Sequence, residues 1–93
     1  MVKIEVKLTN ETVLHSRFAN ILANKASNFK SEITVVKDGK EYNGKSIMAI
    51  LSMGAVKGDK IVIKAEGEDE EEAVKALAEL LKKGFNEYME NLY

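Results

Sequence analysis

Hydrophobic and polar positions alternate from the start of the chain. Val2, Ile4, Val6 and Leu8 are apolar and Lys3, Glu5 and Lys7 between them are charged, the period of a half-buried strand. Thr9 to Leu14 is a polar loop by composition. From Ser16 the period lengthens: Phe18, Leu22, Ala26 and Phe29 recur at helical spacing, Ala19 and Ala23 widen the stripe, and Asn28 is placed to end the helix. Ile33 to Lys37 and Lys40 to Asn43 read as two strands around Asp38-Gly39, a pair suited to a type I′ hairpin turn, which needs positive φ at both positions. Gly44 breaks that run. Ser46 then stands as N-cap before a short helix with Ile47, Ile50 and Leu51, and Gly54 is a natural stop. Lys60 to Ala65 alternates again, with Ile61 and Ile63 on one side and Val62 on the other. Asp69 followed by Glu72 has the spacing of a capping box, and Glu68, Glu70 and Glu71 suit the positive end of a helix. Ala73, Leu77, Leu80, Leu81 and Gly84 mark the buried face of that last helix.

The predicted order is β-α-β-β-α-β-α. Strands around one hairpin with helices between them favour an α+β open-faced β-sandwich, a four-stranded antiparallel sheet with three helices on one face. The 93 residues allow one domain, spanning 1–93. Residues 1–84 form its core, and 85–93 either prolong the last helix or pack back as a tail.

Composition narrows the chemistry. No cysteine is present, which excludes disulfides, thiol nucleophiles and thiolate metal sites, and a single histidine excludes multi-histidine metal sites. Neither a metal nor a cofactor is expected. The net charge of −1 gives no bulk attraction to nucleic acid or anionic membrane. The longest apolar run, Ile47 to Leu51, is too short to span a bilayer, and the N-terminus lacks signal-peptide character. A cytoplasmic protein is expected. The glycines form no phosphate-cradling loop, and the aromatic stacking platform of an RNA-binding sheet is missing.

Two residues stand out against that background. His15 precedes the first predicted helix, whose opening amides have no intrahelical acceptor, and Arg17 adds a permanent cation nearby. Imidazole is nucleophilic near neutral pH, and a phosphorylated ring nitrogen is labile enough to pass its phosphoryl group onward. The plainer reading is an exposed loop histidine with an unrelated arginine. Ser46 caps a short helix, which accounts for it at about 1 kcal/mol. It is also a candidate for kinase modification, which would place about two negative charges beside Ile47, Met48 and Leu51. That helix is too short to bury all its apolar residues, so a docking patch is expected there, with Ile50 in the core.

Two stretches resemble the family of histidine-containing phosphocarriers, HPr, of the bacterial phosphoenolpyruvate-dependent sugar phosphotransferase system. Leu14-His15-Ser16-Arg17 is similar to part of the family's active-centre motif, and Gly39 to Gly54 fits its regulatory-serine motif throughout. Ala65-Glu66-Gly67-Glu68-Asp69-Glu70 is also family-like, and the similarity covers roughly Val2 to Lys83. The resemblance implies that enzyme I phosphorylates His15 at Nδ1, with Ser16, Arg17 and the helix amides stabilising the phosphate. It implies onward delivery to the A domains of sugar-specific enzymes II. It further implies phosphorylation of Ser46 by an HPr kinase/phosphorylase, signalling to a catabolite control protein. Partner docking would use Asn20, Ile47, Met48, Leu51 and Gly54, and a carrier of this kind is expected to be a monomer with that face free.

The chain departs from the motif at two places, with Val13 where the family has glycine and Phe18 where it has proline. A second reading follows, of an HPr-like regulatory paralogue that signals through Ser46 with little or no transfer. An unrelated binding module on the same scaffold is a third. An enzyme with its own turnover is the least favoured, because no base or orienting carboxylate is paired with His15 in the local sequence.

Overall fold

The computed structural model describes residues 1–8, 16–56 and 58–90, the side chains of 16, 17 and 83–90 excepted. The elements are β1 (Val2–Lys7), α1 (Ser16–Ser27), β2 (Glu32–Lys37), β3 (Lys40–Asn43), α2 (Ile47–Ser52), β4 (Lys60–Glu66) and α3 (Glu70–Glu90). This is the β-α-β-β-α-β-α order read from the sequence, on a four-stranded antiparallel sheet. The strands run in space β1-β4-β2-β3, so β4 inserts between the first two strands. Ile63 lies opposite Ile4 on one side and Val35 on the other. That register places every inward branched residue of β4 beside another, and a slip of one position would turn Ile61, Ile63 and Ala65 out to solvent.

One core holds the sheet and helices together. Val6, Ile33, Val35, Ile61 and Ile63 face it from the strands, while Phe18, Leu22, Ile50, Leu77 and Leu81 enter from α1, α2 and α3. Phe18, Ile50, Ile61 and Leu81 have no exposed surface, and burying a side chain of that size contributes about 1.5–3 kcal/mol. The hairpin turn has φ of 53° at Asp38 and 79° at Gly39, both positive as a type I′ turn requires.

The start of α3 differs from the capping box expected of Asp69 and Glu72. The Asp69 carboxylate instead reaches back to the turn between α1 and β2. Its Oδ2 accepts the Lys30 amide at 2.9 Å, and its Oδ1 accepts the Ser31 amide at 3.0 Å and the Ser31 hydroxyl at 2.5 Å. Ser31 is the one buried polar residue among those described, and this carboxylate satisfies it. Glu70 takes over the reach-back, accepting the Gly67 amide at 3.2 Å and pairing with the N-terminal ammonium at 3.2 Å. Gly67 has φ of 155°, and a Cβ there would lie 2.6 Å from the Ser31 Cα, so only glycine fits beneath the clamp.

The clamp gives stability an acid dependence. The Ser31 hydroxyl and the Lys30 amide, donating to Asp69, hold its carboxyl below the usual range, and the Gly67 amide does the same for Glu70. Because the folded-state values are lowered, this stabilisation is present above the ordinary carboxylate pKa of about 4 and is lost as pH falls through the folded-state value. Asp69→Asn sets an amide nitrogen against donors that need an acceptor. The variant is expected to unfold at lower denaturant concentration at neutral pH, and to lose less stability than wild type between about pH 5 and 2. Equal acid slopes for the two proteins, measured by denaturant titration across that range, would refute the clamp's role.

Candidate functional site

The residues singled out above that the structure describes lie on or beside two adjoining helices. α1 begins at Ser16, one residue after His15, so Ser16 and Arg17 form its opening turn. His15 and Val13 lie outside the described residues, as do the side chains of Ser16 and Arg17. Asn20 is exposed one turn further on, and its Oδ1 accepts a hydrogen bond from the Asn24 side chain at 2.9 Å.

α2 packs against α1 and carries the second group. Ser46 is its N-cap with extended backbone, φ −107° and ψ 117°, and its Oγ accepts the Ala49 amide at 3.2 Å. A residue with an extended backbone and a side-chain acceptor is what a helix of six residues needs to begin. The chain approaches Ser46 under tight control: the Asn43 side chain accepts the Lys45 amide at 2.9 Å, and the Asn43 carbonyl accepts the Ser46 amide at 3.2 Å. Beyond the cap, Met48 is 75 % exposed and Ile47 37 %, while Ile50 is fully buried. Leu51 is half-buried against the core. Gly54 follows the helix with φ of 64°, the left-handed geometry of a helix stop. The apolar patch expected from the short helix is therefore present, with Ile47 and Met48 as its exposed members.

Lys45 Nζ donates to the Phe29 carbonyl at 2.8 Å, which ties the approach to Ser46 to the turn just past the C-terminal end of α1. The opposite end of that twelve-residue helix, opened by Ser16, is about 18 Å away along the axis.

Phe18 heads the apolar stripe read from the sequence, and it is buried in the core. What the stripe alone did not give is that this buried ring stands in the first turn of α1, directly after Ser16 and Arg17. Among the described residues no three His, Cys, Asp or Glu side chains are placed to hold a metal ion, and no helix is long and apolar enough to cross a membrane.

Comparison with known proteins agrees with this architecture. Residues 2–83 match the family model described as the phosphotransferase-system HPr component phosphorylation site. The phosphocarrier protein HPr of Neisseria meningitidis is 40% identical over 87 residues, covering 94% of this chain and 98% of the relative. Among solved structures, an HPr from Thermoanaerobacter tengcongensis superposes with a TM-score of 0.87 at 44% identity, covering 92% of this chain and 97% of the other. The Bacillus subtilis catabolite repression protein Crh, crystallised as a domain-swapped dimer, is 35% identical with a TM-score of 0.73, covering 91% of this chain and 98% of that one. Coverage of nearly the whole chain at this identity, on the same sheet and helices, establishes that the chain belongs to the HPr family of phosphocarriers of the phosphotransferase system, proteins that relay a phosphoryl group and are not enzymes in their own right.

Proposed function

We propose that this chain carries phosphoryl groups on His15, receiving them from enzyme I and delivering them to the A domains of sugar-specific enzymes II in the cytoplasm. The observation that carries this reading is the family match across residues 2–83 together with His15-Ser16-Arg17 at the start of α1. The unprotonated Nδ1 of His15 supplies the electron pair that forms the new N–P bond. The bond from phosphorus to the donor group on enzyme I breaks, and its electrons remain on that donor. Delivery repeats the exchange, with Nδ1 as the leaving group and the enzyme II side chain as the nucleophile. Phosphoryl transfer needs positioning and charge stabilisation above all, which the Arg17 guanidinium, Ser16 and the amides of the opening turn of α1 are suited to provide. Asn20, Ile47, Met48, Leu51 and Gly54 form the docking surface for successive partners. The test is transfer from labelled phosphoenolpyruvate through purified enzyme I, with acid-labile label on this chain as the supporting result.

The likeness to Crh, together with Val13 and Phe18 in the motif, favours a second role in carbon catabolite control through Ser46. An HPr kinase/phosphorylase would place its phosphate on Ser46 Oγ, at the edge of the Ile47–Met48 patch, changing which partner docks there, including a catabolite control protein. Incubation with such a kinase and a nucleoside triphosphate is expected to give acid-stable label on wild type and on His15→Ala, and none on Ser46→Ala. The last variant also loses a helix cap worth about 1 kcal/mol, so its fold is checked by circular dichroism. Label that persists on Ser46→Ala removes the regulatory reading.

A further inference from the structure

On the reading of Ser46 as a kinase substrate, we infer that Lys45 binds the phosphate placed there, its ammonium leaving the Phe29 carbonyl to close on the phosphoserine. Between Glu41 and Lys57, Lys45 is the only charged residue of the chain, and it immediately precedes Ser46. α2 itself carries no charged side chain. The structure gives the Lys45 ammonium a neutral partner: Nζ donates to the Phe29 carbonyl in a part-buried contact, and none of the ion pairs among the described residues includes it. The acids on the neighbouring elements are engaged elsewhere. Glu41 of β3 pairs with Lys64 at 2.6 Å, Glu68 with Lys30 at 2.9 Å, and Asp69 accepts the amides of Lys30 and Ser31. The other cations on those elements are Lys25 in the last turn of α1, Lys30 in the turn beyond it and Lys40 at the start of β3.

A phosphoserine carries about two negative charges and three acceptor oxygens, so it attracts an ammonium with a net charge that a carbonyl dipole lacks. Reach does not stand in the way. Successive Cα atoms lie about 3.8 Å apart and the lysine stem is long and freely rotating, so rotation of the side chain brings Nζ to the phosphate. The backbone stays where it is, because the Gly44 amide is held by the Ile33 carbonyl at 2.8 Å and the Lys45 amide by the Asn43 side chain at 2.9 Å. The exchange has a second effect at the turn from Phe29 to Ser31. That turn is tied by Lys45 on one side and by Asp69 on the other, and once Lys45 turns to the phosphate only the Asp69 tie is left. A charge added at Ser46 is therefore felt at the end of α1 as well as at the Ile47–Met48 patch.

The test uses phosphoserine installed at position 46 during synthesis, so no kinase is involved. In a titration followed by phosphorus NMR, the second ionisation of the phosphate is expected at lower pH in the wild-type sequence than in Lys45→Met, by about 0.5 or more, because a nearby cation favours the dianion. Lys45→Arg, which keeps the charge, is expected to keep the lower value. The backbone amide of Lys30 shares its peptide group with the Phe29 carbonyl and reports on that carbonyl's partner. Its NMR signal is expected to move on phosphorylation in the wild-type sequence and to stay in place in Lys45→Met, where the carbonyl has already been released. A merely structural Lys45 would leave the phosphate titration unchanged. Equal midpoints in the wild-type sequence and Lys45→Met overturn the inference, and so does a Lys30 signal that phosphorylation does not move. Whether a kinase modifies Ser46 is read separately, from the labelling of wild type and Ser46→Ala, so either can fail without the other.

Discussion

His15→Ala is expected to bring acid-labile labelling by phosphoenolpyruvate and enzyme I down to the level of a blank reaction, with the fold intact. His15 is the chain's only imidazole, and no cysteine is present to supply a thiol nucleophile in its place. The variant removes the nucleophile and leaves α1, which begins at the next residue, to be set by its buried stripe of Phe18, Leu22 and Ala26. Unfolding midpoints close to wild type are therefore expected alongside the loss of label. Arg17→Ala should give an intermediate result, with label formed more slowly because the phosphoryl charge loses a planar donor while the attacking nitrogen remains. Label of undiminished yield on folded His15→Ala would end the carrier reading. Absence of label on wild type, with Ser46 still modified by a kinase, would leave the regulatory role standing alone.

Much of this architecture was legible along the chain because its causes are local. Alternation in Val2–Leu8 and Lys60–Ala65, the helical stripe from Phe18, the Asp38-Gly39 turn and the Ser46 cap each depend on residues within a few positions of one another. The shortness of α2 already implied that some of its apolar residues stay exposed, as Met48 does. What periodicity does not carry is pairing at a distance. Insertion of β4 between β1 and β2 is decided by which apolar faces match across the sheet, and Val62 read alone gives no sign of lying opposite both Glu5 and Val36. Asp69 shows the same limit from the side of chemistry. Its spacing to Glu72 fits a capping box, yet its partners Lys30 and Ser31 lie 39 and 38 positions away. A buried Ser31 with donors to satisfy made the stronger demand on that carboxylate. The candidate site was legible in residue type, whereas Lys45's bond to Phe29, which ties the approach to Ser46 to the turn after α1, joins residues 16 positions apart and left no local signal.

Phe18→Pro brings this chain's motif toward the family pattern, and it is expected to destabilise the protein by about 3–5 kcal/mol without raising transfer. If the two departures were simple decay, proline at 18 would help to restore activity. Burial argues otherwise. Phe18 has no exposed surface and belongs to the same core as Leu22, Ile50 and Leu81. It is the third residue of α1, in the first turn, where proline is least costly to a helix. The cost therefore falls on packing, because the pyrrolidine ring fills only part of the space a phenyl ring occupies. Against a total of about 5–14 kcal/mol for a domain of this length, the loss is a large fraction, and the thermal midpoint should drop by about 15 °C or more. Phe18→Leu, which keeps an apolar side chain of intermediate volume, should cost markedly less and leave transfer near wild type. Equal midpoints for wild type and Phe18→Pro would mean that the ring is dispensable to the core. Higher transfer in a stable Phe18→Pro protein would mean that Phe18 restrains the phosphorylation site, and that this chain has been turned down as a carrier.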